Sequence, residues 1–140
     1  MTILHPRRPG DALRAGARGI YPLEAGTGLL IECGSWLHRR DFASRFITVG
    51  TSISDGVTLL ASTDWEAAVT ALHAGELSAS GGERRMLLLA SSLAGGTQVS
   101  LNDTLTGIDH RNASLVVSAV AHAAGLPDPH QKTDKRYLNG

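Results

Sequence analysis

Apolar and polar positions alternate along this chain with a helical period over most of its length. Trp65, Val69 and Leu72 recur at i, i+4 and i+7, and Met86, Leu89, Ala90 and Leu93 form a second stripe. Leu87 and Leu88 widen that stripe until the segment is apolar on several sides, which predicts that residues 83–94 form the hub of the fold. A third stripe, Asn112, Val116, Ala119 and Ala123 flanked by Leu115 and Val120, predicts the longest helix, from His110 to about Ala124. A short helix is expected over Leu101–Thr106.

Start and stop signals frame these stripes. Thr63 and Glu66, and again Ser80 and Glu83, have capping-box spacing, in which each side chain satisfies an orphan N–H at the helix start. Ser100 and Asp109 open the last two helices, and Gly75, Gly95, Gly107 and Gly125 close the four apolar runs. Upstream, Pro22 suits a first helical turn, and Leu23–Cys33 reads as a helix in spite of Gly26 and Gly28. Each of those glycines costs about 1 kcal/mol against Ala, and each would let a second helix approach closely. Trp36, Phe42 and Phe46 are three of six aromatic residues; the two Phe are four apart on one helical face, and all three are expected as core anchors.

Residues 48–62 carry mixed signals. Ile47-Thr48-Val49 and Val57-Thr58-Leu59-Leu60 fit two short strands around a Ser52–Gly56 turn, while Ser54-Asp55 fits the cap of a short helix. An isolated hairpin is marginal in water, so a helix or irregular link is favoured. The expected fold class is therefore all-α, a compact irregular or orthogonal bundle of five to seven short helices. Residues 1–20 are expected as a flexible basic segment whose middle, Asp11 to Arg18, has the makings of a short helix. Residues 21–125 would be a single helical domain, and residues 126–140 a flexible tail with two prolines.

Composition narrows the function classes. The chain has 140 residues, 42% apolar and 19% charged, with a formal net charge of zero. That balance disfavours a strong nonspecific attraction to nucleic acid or anionic membranes. No apolar run approaches the 18 or so residues needed to span a bilayer, and no apolar stretch follows the N-terminal arginines as in a secretory signal, so a cytoplasmic protein without membrane association is expected. Cys33 is the single cysteine and reads as a small core residue. Six histidines show no zinc-site spacing, Gly26-x-Gly28 lacks the remainder of a phosphate-binding loop, and no Gly-x-Ser-x-Gly elbow exists. No catalytic, metal or cofactor residue is assigned, and an enzyme would need a site assembled only in the fold, for example around Glu32, His38 and Asp41.

Two binding readings follow. The arginine-bearing faces, Arg39, Arg40 and Arg45 together with Arg84, Arg85 and Arg111, are a candidate contact surface for a protein partner or for self-association. Alternatively, the succession of long helix, short helix, Gly107 turn and long helix has the layout of a helix-turn-helix DNA reader. His110, Arg111 and Asn112 would then open its recognition helix, since Arg pairs with guanine and Asn with adenine. Asn102, Asp103 and Thr106 stand where that motif wants apolar or small residues, which favours a plain capped corner and a non-enzymatic interaction module.

Residues 21–125 also resemble an uncharacterised group of small helical proteins of high-GC Gram-positive bacteria. The stretches carrying the resemblance are Leu37–Phe42, Asp64–Ala68, Gly82–Leu87 and Leu105–Asn112. It implies a cytoplasmic, single-domain helical protein and attaches no activity to any residue.

Overall fold

The computed structural model describes residues 9–130. In chain order they form α1 (Pro9–Ala17), α2 (Tyr21–Cys33), α3 (Arg40–Phe46), β1 (Ile47–Thr51), β2 (Leu59–Thr63), α4 (Trp65–His73), α5 (Gly81–Gly95), α6 (Leu101–Leu105) and α7 (His110–Ala123). The fold is dominated by helix, with one small two-stranded sheet.

Helices α2 and α5 share the centre. Helix α5 buries Met86, Leu87, Leu89, Ala90 and Ser91, as its wide apolar surface predicts, and touches α2, α4, α6 and α7. Helix α2 packs on α5, α7 and α1. The α2–α5 crossing is close because Gly26 has no side chain. A Cβ there would lie 2.5 Å from the Ala94 Cβ and overlap the Ala90 carbonyl oxygen. Trp36, Phe42 and Phe46 are buried side by side, with successive ring centroids 5.3 Å apart. The Trp36 indole N–H donates to the Glu83 carbonyl at 2.9 Å, which ties the α2–α3 connection to the first turn of α5.

Most of the capping signals act as read. Ser80 and Glu83 form a complete capping box, and Ser100 and Asp109 cap α6 and α7. Gly75, Gly107 and Gly125 have φ between 78° and 84°, the left-handed turn that ends a helix. Two details differ. The N-cap of α4 is Asp64, whose carboxylate accepts from Ala67 N–H at 3.1 Å, while Thr63 still belongs to β2 and its buried hydroxyl has no partner. The cap of α5 is Gly96, not Gly95; Gly95 lies against the Trp65 side chain, where a Cβ would come within 2.8 Å.

The all-α expectation is corrected at residues 47–63. These form an antiparallel hairpin with Ile47 opposite Thr63 and Thr51 opposite Leu59. Its reason is tertiary. Helix α1 lies along β2, and Ala12, Leu13 and Ala61 make a second small core with Ile31, Leu37, Ile47 and Leu59. That cover supplies what a lone hairpin lacks. Residues 9–17, expected within a loose lead-in, are thus part of the fold: Leu13 and Ala17 are buried. Asp55 uses its capping ability in the hairpin turn. Its Oδ1 accepts from Val57 N–H and Thr58 N–H, both at 2.8 Å, and its Oδ2 from the Thr58 hydroxyl.

Two outcomes are expected. Gly26→Ala should destabilise the protein by about 2–3 kcal/mol through overpacking at the α2–α5 crossing. Gly28→Ala, whose Cβ would meet only the Arg14 guanidinium at 3.5 Å, should stabilise it by up to about 1 kcal/mol. Urea unfolding of both variants checks this, and equal effects would refute the packing account. Secondly, the bonds to the Thr58 hydroxyl and to the Thr58 and Val57 amides pull the Asp55 carboxyl from 3.8 to about 2. A depressed carboxyl stabilises the fold above its unfolded value and loses that contribution as pH falls through the folded one. The protection of the Val57 and Thr58 amides, measured as exchange relative to the intrinsic rate at each pH, should therefore fall as pH drops from 4 towards 2, and should already be low at neutral pH in Asp55→Ala.

Candidate functional site

A groove of about 390 Å³ lies between α1, α2, α7 and the segment that follows α7. Small residues create it. Ala17 from α1, Ala25 and Gly28 from α2, and Ala119 from α7 form a shallow floor, with Leu29 and Leu115 beside them. Larger side chains at these positions would let the three helices close the space.

The rim is polar and built from paired groups. Helices α2 and α7 run antiparallel, so the start of α2 meets the end of α7. There His122 Nε2 lies 2.7 Å from Glu24 Oε1, and the Tyr21 and His122 rings stand 5.5 Å apart. Glu24 Oε2 also accepts from Gly19 N–H at 2.8 Å, a backward reach that serves the start of α2, where Ile20 offers no capping side chain. The Gly19 amide, followed by His122, holds the Glu24 carboxyl below its ordinary value. Further along, Arg14 donates to Glu32 at 2.8 Å across the groove. Gly125 and Leu126 close α7 with bonds to the His122 and Ala121 carbonyls, a Schellman-type end. This turn brings Asp128 back to Ser118, whose hydroxyl donates to it at 2.9 Å. The bonds from His130 N–H and Ser118 hold the Asp128 carboxyl low.

This arrangement suits binding better than bond-making. The histidine is engaged by Glu24 and the serine by Asp128, so the two are not joined as base and nucleophile. Glu32 lines the groove, but His38 and Asp41 do not, so the polar pocket that would unite these three is not formed. Asp41 is instead held by Arg39, which keeps its carboxyl low. Cys33 is half-buried, its thiol donates to the Leu30 carbonyl at 3.3 Å, and burial pushes its pKa up. Among the described residues no three His, Cys, Asp or Glu side chains gather as a metal site, and no helix is long and apolar enough to cross a membrane.

The arginines singled out from the sequence do not make one face. Arg39, Arg45 and Arg84 converge on the segment between α4 and α5. Arg39 forks onto Asp41 (2.7 and 3.0 Å), donates to the Ser78 carbonyl and covers the Trp36 ring at 4.6 Å. Arg45 pairs with Glu76 at 2.7 Å and covers Phe46, and Arg84 bonds the His73 ring at 3.0 Å. Arg85 lies beside Gly81 and Gly107, and Arg40 is exposed at the start of α3. Arg111 donates to the Glu32 carbonyl at 2.9 Å, at the carboxyl end of α2, where a cation is favoured by the helix dipole. Of the proposed DNA-reading trio, His110 and Arg111 are exposed and Asn112 is half-buried, and the helix before their turn is only five residues long.

Sequence reasoning missed the groove. Its residues come from α1, from along α2, from α7 and from the segment after α7, which no local spacing connects. The one available signal was Gly28, a glycine inside a helix with no turn to make. No protein-family model, curated protein or solved structure is similar enough to this chain to count as a match.

Because Glu24 is held low by its partners, its contacts contribute above the ordinary carboxylate range and are lost as pH falls through its folded value. Glu24→Gln should lower the melting temperature at neutral pH, and the gap from the unmodified protein should narrow at a pH well below the ordinary carboxylate range. A gap of the same size at both pH values would remove the charged Glu24 contact from the account.

Proposed function

We propose that the protein is a non-enzymatic interaction module that associates with a second copy of itself through the outer face of α7. The observation carrying this reading is the composition of that face. Val117, Ala121 and Ala124 lie off the stripe of buried Val116 and Ala119, and Ala113 and Val120 border that stripe on the same flank. From Asn112 to Ala121 there is no charged residue at all. Apolar helix positions are ordinarily covered by a neighbouring element. Here Val117 and Val120 remain 50% and 52% exposed.

The surrounding surface supports the same reading. Ile20 and Tyr21, at the start of α2 next to the end of α7, are exposed apolar residues, as is Leu126. A stable interface buries about 1,200 Å² or more, so α7 would supply its centre and these residues its border. A self-complementary patch on one straight helix suits a two-fold dimer, with alanines allowing the paired helices to approach closely. An uncharged face of this kind fits a protein surface better than a phosphate backbone, and Arg111 at its near end already serves α2.

Light scattering on the full chain tests the proposal. The expected result is twice the 14.7 kDa chain mass, unchanged by added duplex DNA. Val117→Asp with Val120→Asp should give the single-chain mass with an unaltered circular dichroism spectrum. A single-chain mass for the unmodified protein at high micromolar concentration would overturn self-association, and a salt-sensitive mass increase with DNA would favour the DNA-reading alternative.

A further inference from the structure

The groove between α1, α2 and α7 has a property that the packing of the fold does not require. Gly26 and Gly28 lie two residues apart in α2, and each costs helix stability relative to alanine. Gly26 is needed, because α5 leaves no room for a side chain. Gly28 faces no helix backbone. A Cβ there would meet only the Arg14 guanidinium, at an ordinary 3.5 Å. What the missing side chain does is leave the floor of the groove open, between Ala25 and Leu29 on its own helix and Leu115 and Ala119 on α7.

The charges around this floor are unequally engaged. Glu24 has an N–H bond on one oxygen and His122 on the other. Glu32 is paired with Arg14, and Asp128 receives the Ser118 hydroxyl and the His130 amide. Arg18 differs. Among the described residues its guanidinium forms no hydrogen bond or close ion pair, and Glu24 feels it only through space. It stands at the mouth of the groove, past the end of α1, with its planar set of donors uncommitted. An apolar floor with one unspent, fork-shaped cation at its edge is complementary to an apolar molecule that ends in a carboxylate.

We propose that this groove is a binding site for a small amphipathic carboxylic acid. Its hydrocarbon portion lies over Gly28, Leu29 and Leu115, and its carboxylate takes two hydrogen bonds from Arg18. The volume, about 390 Å³, falls within the range of small-molecule sites. The groove is on a different side of α7 from Val117 and Val120, and the two surfaces meet at Leu126.

Sodium octanoate is the probe, titrated into the full-length chain by calorimetry and followed by amide shifts in NMR, with octan-1-ol and octylamine in parallel. Octanoate is expected to shift the Gly28, Leu29 and Ala119 amides and to bind at least tenfold more tightly than octanol, with octylamine weaker still. Arg18→Gln should remove the preference for octanoate over octanol. Gly28→Leu, which fills the floor, should abolish binding of both while the chain keeps its cooperative melt. If Gly28→Leu fails to fold, the Arg18→Gln comparison and the amide shifts decide alone. Absence of octanoate binding at millimolar concentration, equal binding of octanoate and octanol, or shifts located away from the groove would each overturn the proposal.

Discussion

The close crossing of α2 and α5 at Gly26 is the constraint on which the rest of the molecule depends. It sets the two central helices at backbone contact, with Ala90 and Ala94 of α5 meeting a position that carries no side chain. Once that contact is fixed, the remaining elements have surfaces to cover. Trp36 leaves α2 and bonds the first turn of α5, α4 covers the opposite side of α5, and α7 lies antiparallel along α2. The glycine that weakens α2 as an isolated helix is therefore what allows it to be a central one. Local propensity and tertiary packing pull in opposite directions here, and packing wins because overlap with a backbone carbonyl has no low-energy relief.

The arginines show how a surface-looking residue becomes structural. Read along the chain, Arg39, Arg45, Arg84 and Arg111 lie on polar faces and suggest a basic contact surface. In the fold each one reaches a specific partner: Arg39 and Arg111 the Ser78 and Glu32 carbonyls, Arg45 the Glu76 carboxylate and Arg84 the His73 ring. A guanidinium suits this because its flat face stacks on an aromatic ring, as on Trp36 and Phe46, while its edge N–H groups bond their partners. The molecule's unspent surfaces lie elsewhere, on an uncharged helix face and in a groove floored by alanine and glycine. Both are surfaces where side chains are small or absent, so neither stands out in a reading that looks for reactive or charged residues.

Association through α7 and ligand binding beside it would draw on the same helix and meet at Leu126. Val117 and Val120 point outward, whereas Ser118, Ala119 and His122 belong to the groove. The Schellman turn at Gly125 links the two, because it directs Leu126 and Asp128 back over the groove at the place where the apolar face ends. A helix can serve two partners in this way only if its own chain covers the inner face alone, which is what α2 and α5 do.

The helices themselves were legible in the sequence. The stripes of α4, α5 and α7, the box at Ser80 and Glu83, the caps at Ser100 and Asp109 and the glycine stops are local signals, satisfied by atoms within about one turn of the chain. The burial of Trp36, Phe42 and Phe46 followed from the size and scarcity of the aromatics. The hairpin was not decided locally: the same Asp55 would cap a helix or hold a turn, and strand pairing prevailed because α1, more than thirty residues upstream, places Leu13 beside Ala61. The groove and the assignment of each arginine were likewise set only by tertiary structure. Both depend on which helix ends come to lie beside one another, and that follows from the α2–α5 and α2–α7 packing angles, which no spacing within a single segment encodes.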